Sequence, residues 1–428
     1  MPECDDTATL TIPSLTTREF WLDVQVGACA PGEHHVKVRF QALNGTGVLE
    51  SGVNPHDVAP PETAVDIALK VLPFELAPPG SLRSCSWATL GPPEIADLLA
   101  HGNNVFCAPL PEPRYDDQGR FSGSDYAKLD ALIAMLRGND VVLLVQGMPA
   151  LHGSFDDEAY KADLKRFLDD MVQHLAAAGF DTQHFALYPI DEPGGAGWNA
   201  VNQLVEFGKR VREVRPDIQI YVDGGGELPM FEAMAPIIDI WCPGIYMLAE
   251  DSPEMKVIRG SGKQIWSYNC GYGYTTSARS SLKDTNIIAE YRTAAIFAVR
   301  HSATGIGFWC YNVGPDAWTR VENDYPIVYP GRTKPVTSRR WEAVREGIED
   351  ARILMALRQR LQSATDENVR RRLQHLFEST LPAMLDPSLK EMNLGLGRNS
   401  IDLTNSDQTL NAFRNEMLDC VEAVSSRN

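Results

Sequence analysis

From Leu82 onward the chain alternates short apolar runs with amphipathic stretches, eight times in succession, and this alternation limits the possible folds more than any other feature. Strand, helix, strand is the pattern of parallel βα units, whose strands are buried on both faces and so read as continuous apolar runs. Strands are expected at about Arg83 to Thr89, Asn104 to Pro109, Val141 to Gly147, His184 to Asp191, Ile218 to Asp223, Ile238 to Tyr246, Gln264 to Asn269 and Gly305 to Asn312. Helices are expected at Asp125 to Arg137, Asp157 to Ala178, Trp198 to Val214, Asp284 to His301 and Ser338 to Gln362. In the second of these, Leu164, Phe167, Leu168, Met171, Val172 and Leu175 recur at helical spacing, which marks core packing. Eight units in about 280 residues predict an α/β fold, a (β/α)8 TIM barrel. The alternative is a doubly wound open sheet. No GxGxxG or GxxxxGK with a following Ser or Thr comes after any strand, so nucleotide binding has no support.

The flanks read differently. Glu19 to Val26, His35 to Gln41 and Ala64 to Leu72 alternate with a period of two and are separated by turn residues, predicting a small antiparallel β domain, sandwich-like, over residues 1–80. The barrel is then expected over 81–362. Two further helical stretches, Thr365 to Leu385 and Ser406 to Val424, form a C-terminal extension over 363–428. Arg370, Arg371 and Arg372 in the first read as a solvated helix face.

Charge narrows the partners. With 39 Lys and Arg against 57 Asp and Glu the net charge is −18, which opposes binding to nucleic acid and anionic lipid. No apolar run approaches the ~18 residues a membrane helix needs, so no membrane span is expected. The opening residues, Met1 to Asp6, lack the basic and apolar regions of a signal peptide. The chain is expected either to be cytoplasmic or to have lost a leader, in which case it is periplasmic or secreted. The eight Cys show no CxxC or Cys/His spacing. Cys85, Cys107, Cys242, Cys270 and Cys310 fall in or beside strands and are read as free thiols packed as small hydrophobes, so no metal and no cofactor are expected.

In such a barrel the active site lies at the carboxyl ends of the strands, and there the chain places two adjacent carboxylates, Asp191 and Glu192. The apolar run Phe185 to Ile190 leads into them, Pro193 stops the strand, and Gly194 to Gly197 read as a loop. Side chains alternate faces along a strand, so neighbours share one cavity only where the strand gives way to its loop. Close carboxylates divide into one raised and one ionised group, the arrangement acid catalysis requires. The other reading is a cap for the helix starting near Trp198. Around the pair fall Trp87, Gln146, Trp241, Tyr246, Trp266, Tyr268, Asn269, Trp309, Tyr311 and Asn312, with Trp198 and Trp318 in loops on the same side. Flat aromatic rings suit the C–H faces of a sugar, and Asn and Asp address its hydroxyls. A carboxylate pair among aromatics points to a glycosidase. His152, in the loop after the third strand, is read as a surface loop residue, and Asp223, at the end of the fifth strand before Gly224-Gly225-Gly226, is read equally as a member of this group or as a turn former.

Several segments resemble the catalytic domain of glycoside hydrolase family 123, the β-N-acetylgalactosaminidases: Tyr188-Pro189-Ile190-Asp191-Glu192-Pro193, Ile265 to Cys270, Gly307-Phe308-Trp309 with Asn312, Val328 to Gly331, and Ser338 to Asp350. Trp21-Leu22-Asp23-Val24 and Pro31-Gly32 look like the tail of a preceding β-sandwich, here shortened. Departures are Ala351, where the family usually has an aromatic, and Asn323 to Pro326 in place of the more usual Gly-Asp-Gly. The resemblance implies substrate-assisted retention by an exo-acting enzyme on a glycan with a terminal N-acetylhexosamine. Asp191 would orient the 2-acetamido group and Glu192 would act as acid and base, an exception to the two-carboxylate scheme. Trp87, Tyr246, Trp266, Tyr268, Trp309, Asn312 and Tyr329 would contribute to the sugar pocket, and the charged residues of the eighth helix would form structural pairs. Two alternatives remain open: an ordinary two-carboxylate glycosidase with Asp223, Glu227 or Asp316 as partner, and a noncatalytic carbohydrate-binding protein.

Overall fold

The computed structural model describes residues 22, 24, 26, 27, 29–41, 62–249, 251–269, 288–313, 325–385 and 406–425. These fall into two compact units, one spanning Leu76–Met417 and the other containing the N-terminal hairpin. That hairpin pairs β1 (Gly32–Gln41) with β2 (Glu62–Val71) antiparallel, Gly32 opposite Val71 and Gln41 opposite Glu62. The strand expected at Glu19 to Val26 is not formed at Leu22, Val24 and Val26. All three are exposed, so their alternation buries no face, and a period of two without burial does not hold a strand.

The larger unit is built on parallel strands. Its elements are β3 (Arg83–Ser86), α1 (Pro92–Ala100), β4 (Val105–Pro109), β5 (Glu112–Tyr115), β6 (Phe121–Asp125), α2 (Ala127–Leu136), β7 (Val142–Gln146), α3 (Glu158–Ala177), β8 (Phe185–Tyr188), α4 (Pro193–Ala196), α5 (Trp198–Val214), β9 (Gln219–Asp223), α6 (Leu228–Met234), β10 (Ile240–Cys242), α7 (Pro253–Gly260), β11 (Gln264–Ile265), β12 (Tyr268–Asn269), α8 (Ile288–Arg300), β13 (Gly305–Phe308), α9 (Arg339–Ser363), α10 (Glu367–His375) and, as far as Met417, α11 (Ser406–Ser425). Each expected barrel strand has a counterpart, usually shorter by the residues that run into its loop.

Six strands form one parallel sheet in the order β11-β10-β9-β8-β7-β4, and three form another in the order β12-β13-β3. Hydrogen bonds join the two at both margins. The Asn104 amide donates to the Ser84 carbonyl at 2.9 Å beside β4, and the Tyr268 amide donates to the Pro243 carbonyl at 3.3 Å beside β10. The strands bury both faces. Leu143, Leu144 and Val145 of β7 are fully buried, and burial of such side chains stabilises by roughly 1.5–3 kcal/mol each.

One face of the strands gathers Cys85, Val105, Val142, Leu144, Ala186, Tyr188, Tyr221, Ile240, Cys242 and Trp266 into a single apolar cluster. The other faces helices, which α9 illustrates. Ser338 caps it by accepting the Trp341 amide at 3.2 Å, and Gly347 lets it approach α8 so closely that a Cβ there would lie 2.2 Å from the Arg292 carbonyl oxygen. Arg292 bonds the buried Asp350 at 2.8 Å, and Arg345 bonds Glu342 and Glu349, so the charged residues of this helix do pair structurally. Arg370, Arg371 and Arg372 are exposed on α10. Cys85, Cys242 and Cys310 are buried free thiols, and Cys107 is half-buried. Among the described residues no helix is long and apolar enough to cross a membrane.

Candidate active site

The carboxyl end of β8 carries the densest polar chemistry in the unit. The strand stops at Tyr188, earlier than expected, because Glu192 takes a left-handed backbone conformation (φ 39°, ψ 56°) and Pro193 opens the one-turn helix α4. Gly194 to Ala196 are thus helical, where the sequence suggested a loop. Proline at the first helical position lacks only an N–H that would be unpaired anyway, so Pro193 starts a turn as readily as it ends a strand. The close approach of this turn to the next strand's loop requires glycine: a Cβ on Gly194 would lie 2.0 Å from the Gly225 carbonyl oxygen.

Asp191 and Glu192 are both exposed, and neither caps α5, whose N-cap is Gly197; Glu192 stands at the N-cap position of α4 but its side chain makes no capping bond. The two are held differently. The phenol of Tyr188 lies 2.5 Å from Asp191 Oδ1, whereas Glu192 Oε1 accepts the hydroxyl of Tyr268 from β12. Gly224, at φ +89°, packs so closely on Glu192 that an added Cβ would sit 3.1 Å from its Cα, Cβ and Cγ.

Asp223 is the residue that the sequence reading undervalued. It ends β9 and is only 6% exposed, which a turn former would not be. Its Oδ2 lies 2.5 Å from the Tyr188 phenol, and its Oδ1 accepts the Glu192 amide at 3.0 Å. Burial raises its carboxyl to about 7, and the nearby Asp191 and Glu192 add to the rise, against the bonds from Tyr188 and the Glu192 amide. Burial followed by the two aspartates also pushes the Tyr188 phenol well above its ordinary value. The available signal was an aspartate closing the apolar run Ile220-Tyr221-Val222, a position more often buried than a turn.

The aromatic residues divide into those at the carboxyl ends and those below. Trp87 packs edge-on against Tyr268, with ring centroids 5.9 Å apart, and against Trp309 at 6.5 Å. Trp266 sits deeper, 4% exposed beside Tyr221, and its indole Nε1 has no partner among the described residues. Asn312 is engaged with the backbone of Thr89, accepting its amide at 2.7 Å and donating to its carbonyl at 3.2 Å. Tyr329 pairs with Val336 in a bridge after β13. Asn269 and Trp241 point away from this group. Asn269 lines a small cavity with Tyr291 of α8 and Ile348 of α9, and Trp241 donates to Ser261 beside α7. Tyr311 also faces outward, donating to Asp97 of α1 at 2.7 Å. Trp198 is 41% exposed at the first residue of α5. Trp318, Asp316, Cys270 and the side chain of Tyr246 lie outside the described residues.

A hairpin that the sequence reading missed, β5–β6, follows β4 at the same end. Its Tyr115 stacks on His152, centroids 4.1 Å apart, and donates to the Ala150 carbonyl at 2.8 Å. His152 is exposed, as expected, and serves to clamp this hairpin to the loop after β7.

The family model described as glycoside hydrolase 123, catalytic domain, matches residues 146–357, a span that starts at the end of β7 and includes the whole β8–α4 turn. Residues 146–357 are a glycoside hydrolase 123 catalytic domain. Among curated proteins none matches. Solved structures similar to the chain include a glucosidase from Croceicoccus marinus, 12% identical with a TM-score of 0.44 over 63% of this chain and 66% of that one. An endo-1,4-beta-mannanase from Rhizomucor miehei is also 12% identical, with a TM-score of 0.40 over 65% of this chain and 95% of its own. The glycoside hydrolase 123 domain thus holds Asp191, Glu192, Asp223, Tyr268 and Trp309, while Trp87 precedes it in the segment after β3.

Proposed function

We propose that the glycoside hydrolase 123 domain, with the strands before it, forms a (β/α)8 barrel over 81–362 that acts as a retaining, exo-acting β-N-acetylhexosaminidase, with terminal β-linked N-acetylgalactosamine as its substrate. The observation that carries this reading is the unequal anchoring of two adjacent, exposed carboxylates. Asp191 is held by a phenol, and Glu192 by a left-handed backbone and a different phenol.

That asymmetry suits substrate-assisted chemistry. Asp191 accepts the N–H of the 2-acetamido group and orients its carbonyl oxygen, which attacks the anomeric carbon. Glu192 gives its proton to the glycosidic oxygen as that bond breaks, leaving an oxazolinium ion and a free alcohol. Glu192, now ionised, takes a proton from water as the water oxygen attacks the anomeric carbon, which reopens the ring with the original configuration. Asp223 is too buried to reach a sugar, which argues against it as the second carboxylate of a two-carboxylate pair. In this reading Tyr268, Trp309 and Tyr329 contact the sugar, Trp87 and Trp266 support them from below, and Asn312 fixes the loop at Thr89.

The test is hydrolysis of aryl β-N-acetylgalactosaminides. Glu192→Gln should lose about 10²–10⁴-fold in turnover on a poor leaving group, the usual contribution of a positioned acid, and less on an activated one. Asp191→Asn should lose activity on both. A thiazoline that mimics the oxazolinium should inhibit the wild type. Full activity in both variants, or turnover of sugars lacking the acetamido group, defeats the proposal.

A further inference from the structure

The Tyr188 phenol has one proton and two carboxylate oxygens at 2.5 Å, Asp191 Oδ1 and Asp223 Oδ2. It can donate to only one of them. At that separation the other contact is repulsive unless the carboxyl itself supplies a proton. Only one of the two carboxyls is placed to hold it.

The surroundings decide. Asp191 is exposed to solvent, whereas Asp223 is 6% exposed. The titratable groups facing Asp223 are Tyr188, Asp191 and Glu192 at the end of β8, Tyr221 on its own strand, and Cys242 and Cys85 on β10 and β3. Each is neutral or negative, so none stabilises a buried carboxylate. Asp223 Oδ1 is already used by the Glu192 amide, which leaves Oδ2 to carry the proton toward Tyr188.

We propose that Asp223 is a positioning residue held as a carboxylic acid: its Oδ2–H donates to the Tyr188 phenol, that phenol donates to Asp191, and its Oδ1 holds the Glu192 amide. One buried acid thereby fixes both members of the pair. The hydrogen bond passed through Tyr188 occupies Asp191 Oδ1 and leaves Oδ2 for the acetamido N–H, while the bond to the Glu192 amide holds the left-handed backbone that turns Glu192 to its own partner, Tyr268. The catalytic roles of Asp191 and Glu192 rest on the proposed hydrolase function. The protonated state of Asp223 does not.

Two variants separate the possibilities. Asp223→Ala removes both bonds, and turnover should fall on the order of 10²-fold, the loss expected from misplacing a reacting group by about 1 Å. Asp223→Asn reproduces the neutral acid, with Nδ2 donating to Tyr188 and Oδ1 accepting the Glu192 amide, so it should restore turnover close to wild type at about pH 6. If Asp223 instead works as an anion, Asp223→Asn is as impaired as Asp223→Ala and the proposal falls. A readout without substrate accompanies this. The infrared difference between wild type and Asp223→Asn near pH 6 should show the C=O stretch of a protonated carboxyl, lost on raising the pH to about 9. Absence of that band overturns the proposal even if activity is restored. A wild type inactive on every N-acetylhexosaminide would sink the hydrolase reading, and the infrared band would still decide the state of Asp223.

Discussion

Glu192 shows how much a single backbone angle determines. A non-glycine residue at φ 39° pays a steric cost of roughly 1–2 kcal/mol, and here the conformation is held by the bond from its amide to Asp223 and by the start of α4 at Pro193. Gly224 leaves the space in which that side chain lies. Gly224→Ala would force a Cβ into a φ of +89° and against Glu192, so we expect a loss of about 1–2 kcal/mol in urea unfolding together with a fall in turnover. Retained turnover in that variant would show that the packing on Glu192 is incidental. Tyr268→Phe tests the other side of the same residue. Loss of one hydrogen bond is worth about 0.5–1.5 kcal/mol, so kcat should fall about two- to tenfold with the fold intact by circular dichroism. An unchanged kcat would remove Tyr268 from the proton-transfer machinery.

At the scale of elements, what could be read from the sequence follows from burial. β7, β8 and β9 were legible because a strand buried on both faces has to be apolar throughout, and Asp191 and Glu192 stood out because two adjacent carboxylates follow such a run at the end where a site is expected. Three features were not legible. α4 is a single turn whose Pro and Gly residues are also loop formers, and only its backbone bonds, from the Ala196 amide to the Glu192 carbonyl and from the Gly197 amide to the Pro193 carbonyl, both 3.1 Å, make it helical. β5 reads Glu-Pro-Arg-Tyr, with a proline that demotes any strand, and is held as an edge by its hairpin partner and by Tyr115. Asp223 looked like a turn aspartate because its burial depends on Tyr188, 35 residues away, which local pattern does not contain. Helix packing obeys the same logic at α8 and α9, where the ion pair of Arg292 and Asp350 is buried beside the Gly347 contact. Removing Asp350 takes away the partner of the Arg292 Nε and leaves the guanidinium Glu346 at 3.3 Å. Asp350→Ala should therefore cost about 1.5–3 kcal/mol in urea unfolding, the worth of a hydrogen bond to a charged group. A loss below about 1 kcal/mol would mean that solvent reaches Arg292.

Across the whole larger unit, the first and eighth helices of the barrel pattern meet through a buried histidine, and this gives stability a pH dependence distinct from that of the active site. His101, which follows α1, lies between Asp97 and Glu342 of α9 and stacks on Trp341, while Asp97 also accepts the Tyr311 hydroxyl and the Trp341 indole N–H. Burial alone would lower the His101 value, but the bond to Glu342 and the charge of Asp97 outweigh it and leave it above the ordinary 6.5. A raised folded-state value means that the proton is held more tightly folded than unfolded, so His101 stabilises fully below pH 6.5 and loses that contribution as pH rises through its folded value. Asp223, raised from 3.8 to about 7, has the same sign in a lower window: its contribution is complete below pH 3.8 and gone by about pH 7. Glu342 works the other way. Burial opposes its charge, yet bonds from His101 and Thr337 bring it from 4.5 to about 2, so it stabilises above pH 4.5 and loses this as pH falls toward 2. The unfolding free energy should therefore rise up to about pH 4.5 and then decline in two stages, the first through Asp223 and the second through His101. Asp223→Asn should abolish the decline between about pH 4 and 7 and leave the upper one, whereas His101→Gln should remove the upper decline and weaken the acid-side rise by depriving Glu342 of its partner. Urea unfolding of the three proteins between about pH 3 and 9 measures this directly. If Asp223→Asn keeps the wild-type slope between about pH 4 and 7, the proton taken up on folding belongs to another group, and Asp223 is ionised in the native site.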